Sequence, residues 1–258
     1  MDIAVLVKQV PDTYSERRLT GDGILDRAAA DAVIDEIDSR GVEVALQLTE
    51  LHGGEVTVIT MGPQRATETL RKALAMGAHK AVHLLDDALA GSDAWQTSIA
   101  LAAAIRTLSY DLVITGNEAS DGKTGTIPSM LAERLGLPQV TSARKLTIDG
   151  STLSAEKVVD GGYAEVTAQL PAVVSVSEKI TEPRYPNFKG IMAAKSKPVT
   201  TLGAADLGLA AGSTGGASAA SQIVESSPKP PREAGQKITD DGTGASQAAA
   251  FLAAERLI

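Results

Sequence analysis

Short apolar runs recur along the first half of the chain, at residues 3–7 (IAVLV), 55–60 (EVTVIT), 81–85 (AVHLL) and 111–115 (DLVIT). They are rich in β-branched residues and show little alternation with polar ones, the pattern of strands buried on both faces of a sheet. Between them the apolar positions switch to helical spacing. Ala66, Leu70, Ala73 and Leu74 recur at helical intervals between Pro63, suited to a first turn, and Gly77, a natural stop. Asp93, with Gln96 three residues on, resembles a capping pair opening a helix that carries Trp95, Ile99 and Leu108. A further helix is predicted over Ile127 to Leu135, closed by Gly136 and Pro138, and the stretch VEVALQLTEL behind the acidic cluster Asp35, Glu36 and Asp38 reads as another. This alternation predicts an α/β fold: an open, mostly parallel sheet with helices on both faces, whose ligands sit at the carboxyl ends of the strands.

From Arg144 the rhythm becomes period two, punctuated by Asp149-Gly150 and Asp160-Gly161-Gly162, which predicts an antiparallel β meander over 144–178. The charged, glycine-containing stretch from Thr13 to Asp31 reads as a surface hairpin or loop. After the last predicted strand comes EPRYPNFKGIMAAKSKP, residues 182–198, with an Arg and a Tyr between prolines and one of the chain's two phenylalanines at Phe188. Beyond it, LGAADLGLAAGSTGGASAASQ has too little bulk for a core, and the Ala/Leu/Glu/Arg run at Gly244–Leu257 reads as a short helix in need of a surface. The organisation expected is a domain over 1–200 and an extended C-terminal arm over 201–258.

A hydrophobic fraction of 43% supplies a core, while only 3% aromatic residues leaves Ala, Val, Leu and Ile to pack it. The net charge of −8 argues against a nucleic-acid partner or an anionic membrane surface. The absence of cysteine excludes disulfides and thiolate metal sites. No apolar run is long enough for a bilayer and the start lacks a basic leader, so a soluble, cytoplasmic protein without membrane insertion is expected.

Strand 111–115 runs into GNEASDGKTGTIPSMLAERLG, a small polar loop followed by a helix. Backbone N–H groups there, reinforced by the helix dipole, suit a phosphate. Gly122, Thr124 and Gly125 permit close approach, Thr124 and Thr126 offer hydroxyls, Lys123 adds charge, and Asp121 orients the loop or accepts from a sugar. A helix cap with no ligand is the alternative. The loop nearly imitates a P-loop, but five residues separate Gly116 from Gly122-Lys123-Thr124 where that motif needs four. No G-x-G-x-x-G follows the first strand, His79 and His83 fall on a strand rather than a metal-binding helix, and no triad partner accompanies His52. Neither a metal nor a catalytic side chain is expected.

Several motifs converge: VLVKQVPD, VITMGP with ETLRKALAMGAHKAVHL, DLVITGNEASDGKTG, AEKVVDGG, LPAVVSVSEKITEPRYPNFKGIMAAK and PPREAG. Together they resemble the β subunit of electron transfer flavoprotein over nearly the whole chain, in the family's order. The resemblance implies an adenine-nucleotide-binding, Rossmann-like fold and a heterodimer with an α subunit that carries FAD, passing electrons from flavin dehydrogenases, such as those of fatty acid oxidation, to a membrane quinone reductase. It implies AMP bound unreacted in this subunit, with contacts at Leu6, Asp35 to Asp38, Met61 and the loop Gly116, Asn117, Ala119, Asp121, Gly122, Lys123, Thr124 and Gly125. Gly122-Lys123 departs from the animal members of the family, and relatives that hold a second FAD there to bifurcate electrons are one alternative; a stand-alone ATP-using enzyme of similar architecture is another. The 182–198 segment resembles the family's recognition loop, which makes Phe188 the side chain planted on the dehydrogenase, with Arg184, Tyr185, Ile191, Met192 and Lys195 around it. The arm is expected to dock on the α subunit.

Overall fold

Each apolar run becomes a strand, and the helices between them cover both sides. In chain order the elements are β1 (Ile3–Leu6), β2 (Gln9–Pro11), β3 (Ala32–Ile34), α1 (Glu36–His52), β4 (Val56–Met61), α2 (Thr67–Met76), β5 (Lys80–Leu84), α3 (Ala94–Ile105), β6 (Leu112–Gly116) and α4 (Ile127–Leu135). There follow β7 (Gln139–Asp149), β8 (Thr152–Val159), β9 (Gly162–Gln169), β10 (Ala172–Val176), α5 (Phe188–Ala194), β11 (Val199–Leu202) and α6 (Gly244–Ala254). This computed structural model describes residues 1–232 and 235–258, so the PPREAG run lies partly outside the described residues. Within them the main sheet has nine strands in the order β11-β5-β4-β1-β6-β10-β7-β8-β9, and β2 with β3 forms a separate antiparallel pair. Pairing is parallel from β11 to β7 and antiparallel from β7 to β9.

Period-two geometry sends alternate residues of each central strand to opposite faces, and both faces are apolar because both are covered. Ile3, Val5, Val58, Ile114 and Val174 meet Val42, Leu46, Leu70 and Leu74 of α1 and α2. Ala4, Ile59, Val113 and Val173 meet Leu101, Ile105 and Leu131 of α3 and α4. Since β1 has β4 on one side and β6 on the other, with α1 and α3 on opposite faces, the strand order reverses beside β1. A crevice opens there at the strands' carboxyl ends.

Three expectations need correction. The meander does not run to residue 178: its last stretch, β10, lies parallel between β6 and β7 and is buried throughout, as its unbroken AVVSV composition suits. The helix expected to carry Leu108 ends at Ile105. The chain divides between Val224 and Glu225 rather than at residue 200, because β11 adds to β5 and the segment behind it stays fastened to the first unit. In the second unit, residues 225–258, α6 leaves Phe251 and Leu252 exposed. No helix among the described residues is long and apolar enough to cross a membrane.

Candidate functional site

The loops after β1, β4 and β6 and the amino ends of α3 and α4 enclose a cavity of about 310 Å³ at the crevice, within the size range of small-ligand sites. Leu6, Met61 and Leu101 give it apolar walls. Of the residues expected to bind, Leu6, Asp38, Met61, Gly116, Asn117, Ala119, Gly122, Lys123, Thr124 and Gly125 line it together; Asp35 and Asp121 do not.

Those two acidic residues build the site from behind. Asp35 caps α1, accepting from Ile37 N at 3.0 Å, and its second oxygen accepts from Ser120 N at 2.9 Å, tying the helix to the loop after β6. Asp38 is buried, with its oxygens accepting from Gly116 N at 3.0 Å and Lys8 N at 2.8 Å, so it fastens the ends of β6 and β1. Burial, aided by the charge of Asp35, pushes the Asp38 carboxyl up to about 8 against the pull of those two N–H groups. Gly116 has no alternative here, since a Cβ would sit 2.5 Å from Asp38 Oδ1.

Asp121 joins two cations that the sequence left unconnected. Its buried carboxylate accepts from Lys8 Nζ at 2.8 Å and Arg27 Nε at 2.9 Å. Burial alone would raise the Asp121 carboxyl, but the hydrogen bond and charge of Lys8, then those of Arg27, outweigh it and hold the group below its ordinary range. Arg27 is itself positioned by Arg65, whose guanidinium donates to the carbonyls of Arg27, Ala28 and Ala30 at 3.0, 2.9 and 2.9 Å. Lys8 and Arg27 stand between the first cavity and a second of about 590 Å³, since they line both. Lys8 was legible only as part of a motif, and nothing in the local sequence of Arg27 marks it.

The first cavity presents unused hydrogen-bonding groups. The Oδ1 of Asn117 is buried without a partner, a state that costs free energy until a donor arrives. Among the described residues no group accepts from the backbone N–H of Gly122, Thr124 or Gly125. Lys123 and Gly125 take left-handed conformations, φ 49° and 61°, which curl the loop into a concave turn. Thr126 makes no side-chain cap on α4, so that helix also keeps free N–H groups at its start. The chemistry offered is recognition of an anion together with one hydrogen-bond donor.

A second surface lies at 182–198. Phe188 opens the short helix α5, capped by Asn187, whose side chain accepts from Gly190 N at 2.8 Å. Tyr185 is 96% and Phe188 79% exposed, which rules out packing of Phe188 back onto Ile191 and Met192, themselves about half exposed. Lys195 is exposed beside them. Arg184, expected among the contact residues, turns the other way: it donates to Glu43 at 2.7 and 3.0 Å and also pairs with Glu50. The hydrogen bonds it donates to Glu50 and then to Glu43 raise the guanidinium further, keeping it charged. Burial works against the Glu43 carboxylate, but the hydrogen bonds from Arg184 hold it low. Arg71 donates to Ala194 O at 2.6 Å and Lys197 O at 3.0 Å, while Lys197 Nζ donates to Leu74 O and Gly77 O at 3.0 and 3.2 Å at the end of α2. The segment is thus held at both ends.

The Electron transfer flavoprotein domain family matches residues 22–207. An electron transfer flavoprotein subunit beta of Mycobacterium tuberculosis is 53% identical over 100% of this chain and 99% of its own length. The subunit of that name from Thermoanaerobacterium thermosaccharolyticum is 38% identical over 93% of this chain and 92% of its own length. Subunit CarD of the caffeyl-CoA reductase–Etf complex of Acetobacterium woodii is 35% identical, covering 98% of this chain and 96% of its own length.

Proposed function

The chain belongs to the electron transfer flavoprotein β-subunit family, electron carriers rather than catalysts, and from that premise we propose its particular role. It pairs in the cytoplasm with an α subunit that carries FAD, holds AMP unreacted in the cavity beside β1, and docks flavin dehydrogenases such as acyl-CoA dehydrogenases through the surface around Phe188. Electrons leave for a membrane quinone reductase. The unit 225–258, whose helix α6 exposes its apolar residues, docks on the α subunit.

The observation that carries this reading is the 182–198 segment, where large apolar side chains are held out into water by a stretch fastened at both ends. An aromatic seated in a partner's pocket supplies about 2 kcal/mol or more, and a pre-ordered segment loses little freedom on docking. That combination suits a complex that forms and parts repeatedly.

AMP fits the donor set of the cavity. Its adenine or ribose has donors for the orphaned Asn117 Oδ1, and its phosphate has acceptors for the N–H groups of Gly122, Thr124 and Gly125, with Lys123 adding charge. The FAD of the α subunit supplies the redox chemistry; the residues of this chain bind, orient and fasten. A second reading, FAD in place of AMP, draws on the adjoining cavity of about 590 Å³ that shares Lys8, Arg27 and Met61 with the first. Denaturing the purified heterodimer and identifying the released nucleotides tests both. One FAD and one AMP support the first reading, two FADs the second, and a single FAD with no AMP sinks both.

A further inference from the structure

Residues 203–221 are mostly Gly, Ala and Ser, and that composition predicts a loose linker, although Leu207 and Leu209 pack against the core. In the structure they are bonded repeatedly to the loop 86–93, whose last two residues, Ser92 and Asp93, line the cavity of about 310 Å³ while most of the rest borders the adjoining one. Ala204 N donates to Asp86 Oδ2 at 2.9 Å, Thr214 Oγ1 to Ala88 O at 3.1 Å, Gly216 N to Ala90 O at 2.9 Å and Gly215 N to Ser92 Oγ at 3.0 Å. The series ends on Asp93, whose Oδ2 accepts from Ala220 N and Ser221 N at 2.9 and 3.1 Å.

Asp93 faces two ways. Its Oδ1 caps α3, accepting from Gln96 N at 3.0 Å, and the residue lines the cavity of about 310 Å³ with Ser92 and Ala94. The amino end of α3, where free N–H groups and the helix dipole favour an anion, is therefore held in place by a segment more than a hundred residues away in sequence. Gly215 shows how closely that segment sits: its φ is +87°, and a Cβ there would lie 2.7 Å from Ala88 O.

We propose that residues 203–221 are a strap that positions the amino end of α3 for the ligand of the cavity, so that seating the strap and filling the cavity stabilise each other. In its ligand-dependent half this rests on the adenylate reading. A released strap leaves loop 86–93 without these partners, and the ligand must then order that wall itself, which lowers its affinity. Linkage makes the effect reciprocal: whatever the strap adds to ligand affinity, the ligand adds to the seating of the strap.

Two variants outside the cavity test this in the full-length chain: Ser221→Pro, which removes an N–H and a hydroxyl from Asp93, and Gly215→Ala. AMP affinity is measured by calorimetry, and α3 is followed by emission of Trp95, the only tryptophan, which sits in its first turn. Each variant should bind AMP about tenfold more weakly and alter Trp95 emission before any nucleotide is added. In the wild-type chain AMP should slow deuterium exchange at 203–221. Variants with the helical content of the wild type and unchanged AMP affinity overturn the proposal, as does exchange at 203–221 that ignores AMP. If the wild-type chain binds no AMP, the adenylate reading fails on its own. Trp95 emission of Ser221→Pro then decides the positioning role: a shift supports it and an unchanged spectrum overturns it. Should Gly215→Ala not fold, Ser221→Pro, at the exposed end of the strap, carries the test alone.

Discussion

The 182–198 segment and the unit 225–258 both expose large apolar side chains, but they are supported differently. In the first, Tyr185 and Phe188 stand on a stretch held by Arg184 to α1 and by Arg71 and Lys197 to α2. In the second, Phe251 and Leu252 sit on a helix with no buried residue, within a unit that has no core of its own among the described residues. A rigid exposed patch has its ordering cost met in advance and suits partners that come and go. An exposed helix without a core gains its burial from a partner that stays. On the proposed function, the first surface meets dehydrogenases and the second meets the α subunit.

Removing residues 225–258 should break this contrast most severely. Co-purification with the α subunit is expected to be lost while the far-ultraviolet spectrum of residues 1–224 retains its sheet and helix content; a heterodimer that survives the deletion refutes the assignment of the arm. Phe188→Ala comes next. It should lower kcat/KM for reduction by a dehydrogenase about 30-fold, the equivalent of about 2 kcal/mol, with flavin content unchanged by absorbance. Arg184→Ala sharpens the comparison by loosening the platform without touching its exposed face. Glu43 loses its partner, so urea unfolding should show about 1–2 kcal/mol of lost stability, and KM should rise more than kcat falls. The smallest effect concerns pH. Glu43 is held below its ordinary range, so its pairing stabilises the fold above the unfolded carboxylate value of about 4.3 and is lost as pH falls through the lower folded value. The stability gap between wild type and Glu43→Gln should therefore be full at neutral pH and close in acid, as followed by urea midpoints.

What was legible in the sequence depended on how local its cause was. The limits of α4 match those predicted because Gly136 adopts the left-handed cap and Pro138 follows it. The start of α3 at Asp93 matches because the cap is a contact with Gln96, three residues on. By contrast, β11 is a four-residue strand whose reason for existing is the free edge of β5, more than a hundred residues earlier. Arg184 reads as a surface arginine until α1 brings Glu43 and Glu50 beside it. The glycine loop stood out as a small polar turn between a strand and a helix, and ten of the twelve residues that the family resemblance implied at the site line one cavity. The two that do not, Asp35 and Asp121, hold the wall from behind; an orienting role for Asp121 was legible in the loop, but the partners Ser120, Lys8 and Arg27 through which the two act were not.

The position of the strap late in the chain has a consequence for the order of synthesis. Every residue lining the cavity of about 310 Å³ comes from the first 128, which leave the ribosome well before β10 fills the gap between β6 and β7. The fastening at Asp93 arrives only with Ala220 and Ser221. In a nascent chain the residues that line the pocket are therefore all made before those that lock it, and the lock is made only a few residues before the unit that would greet a companion subunit.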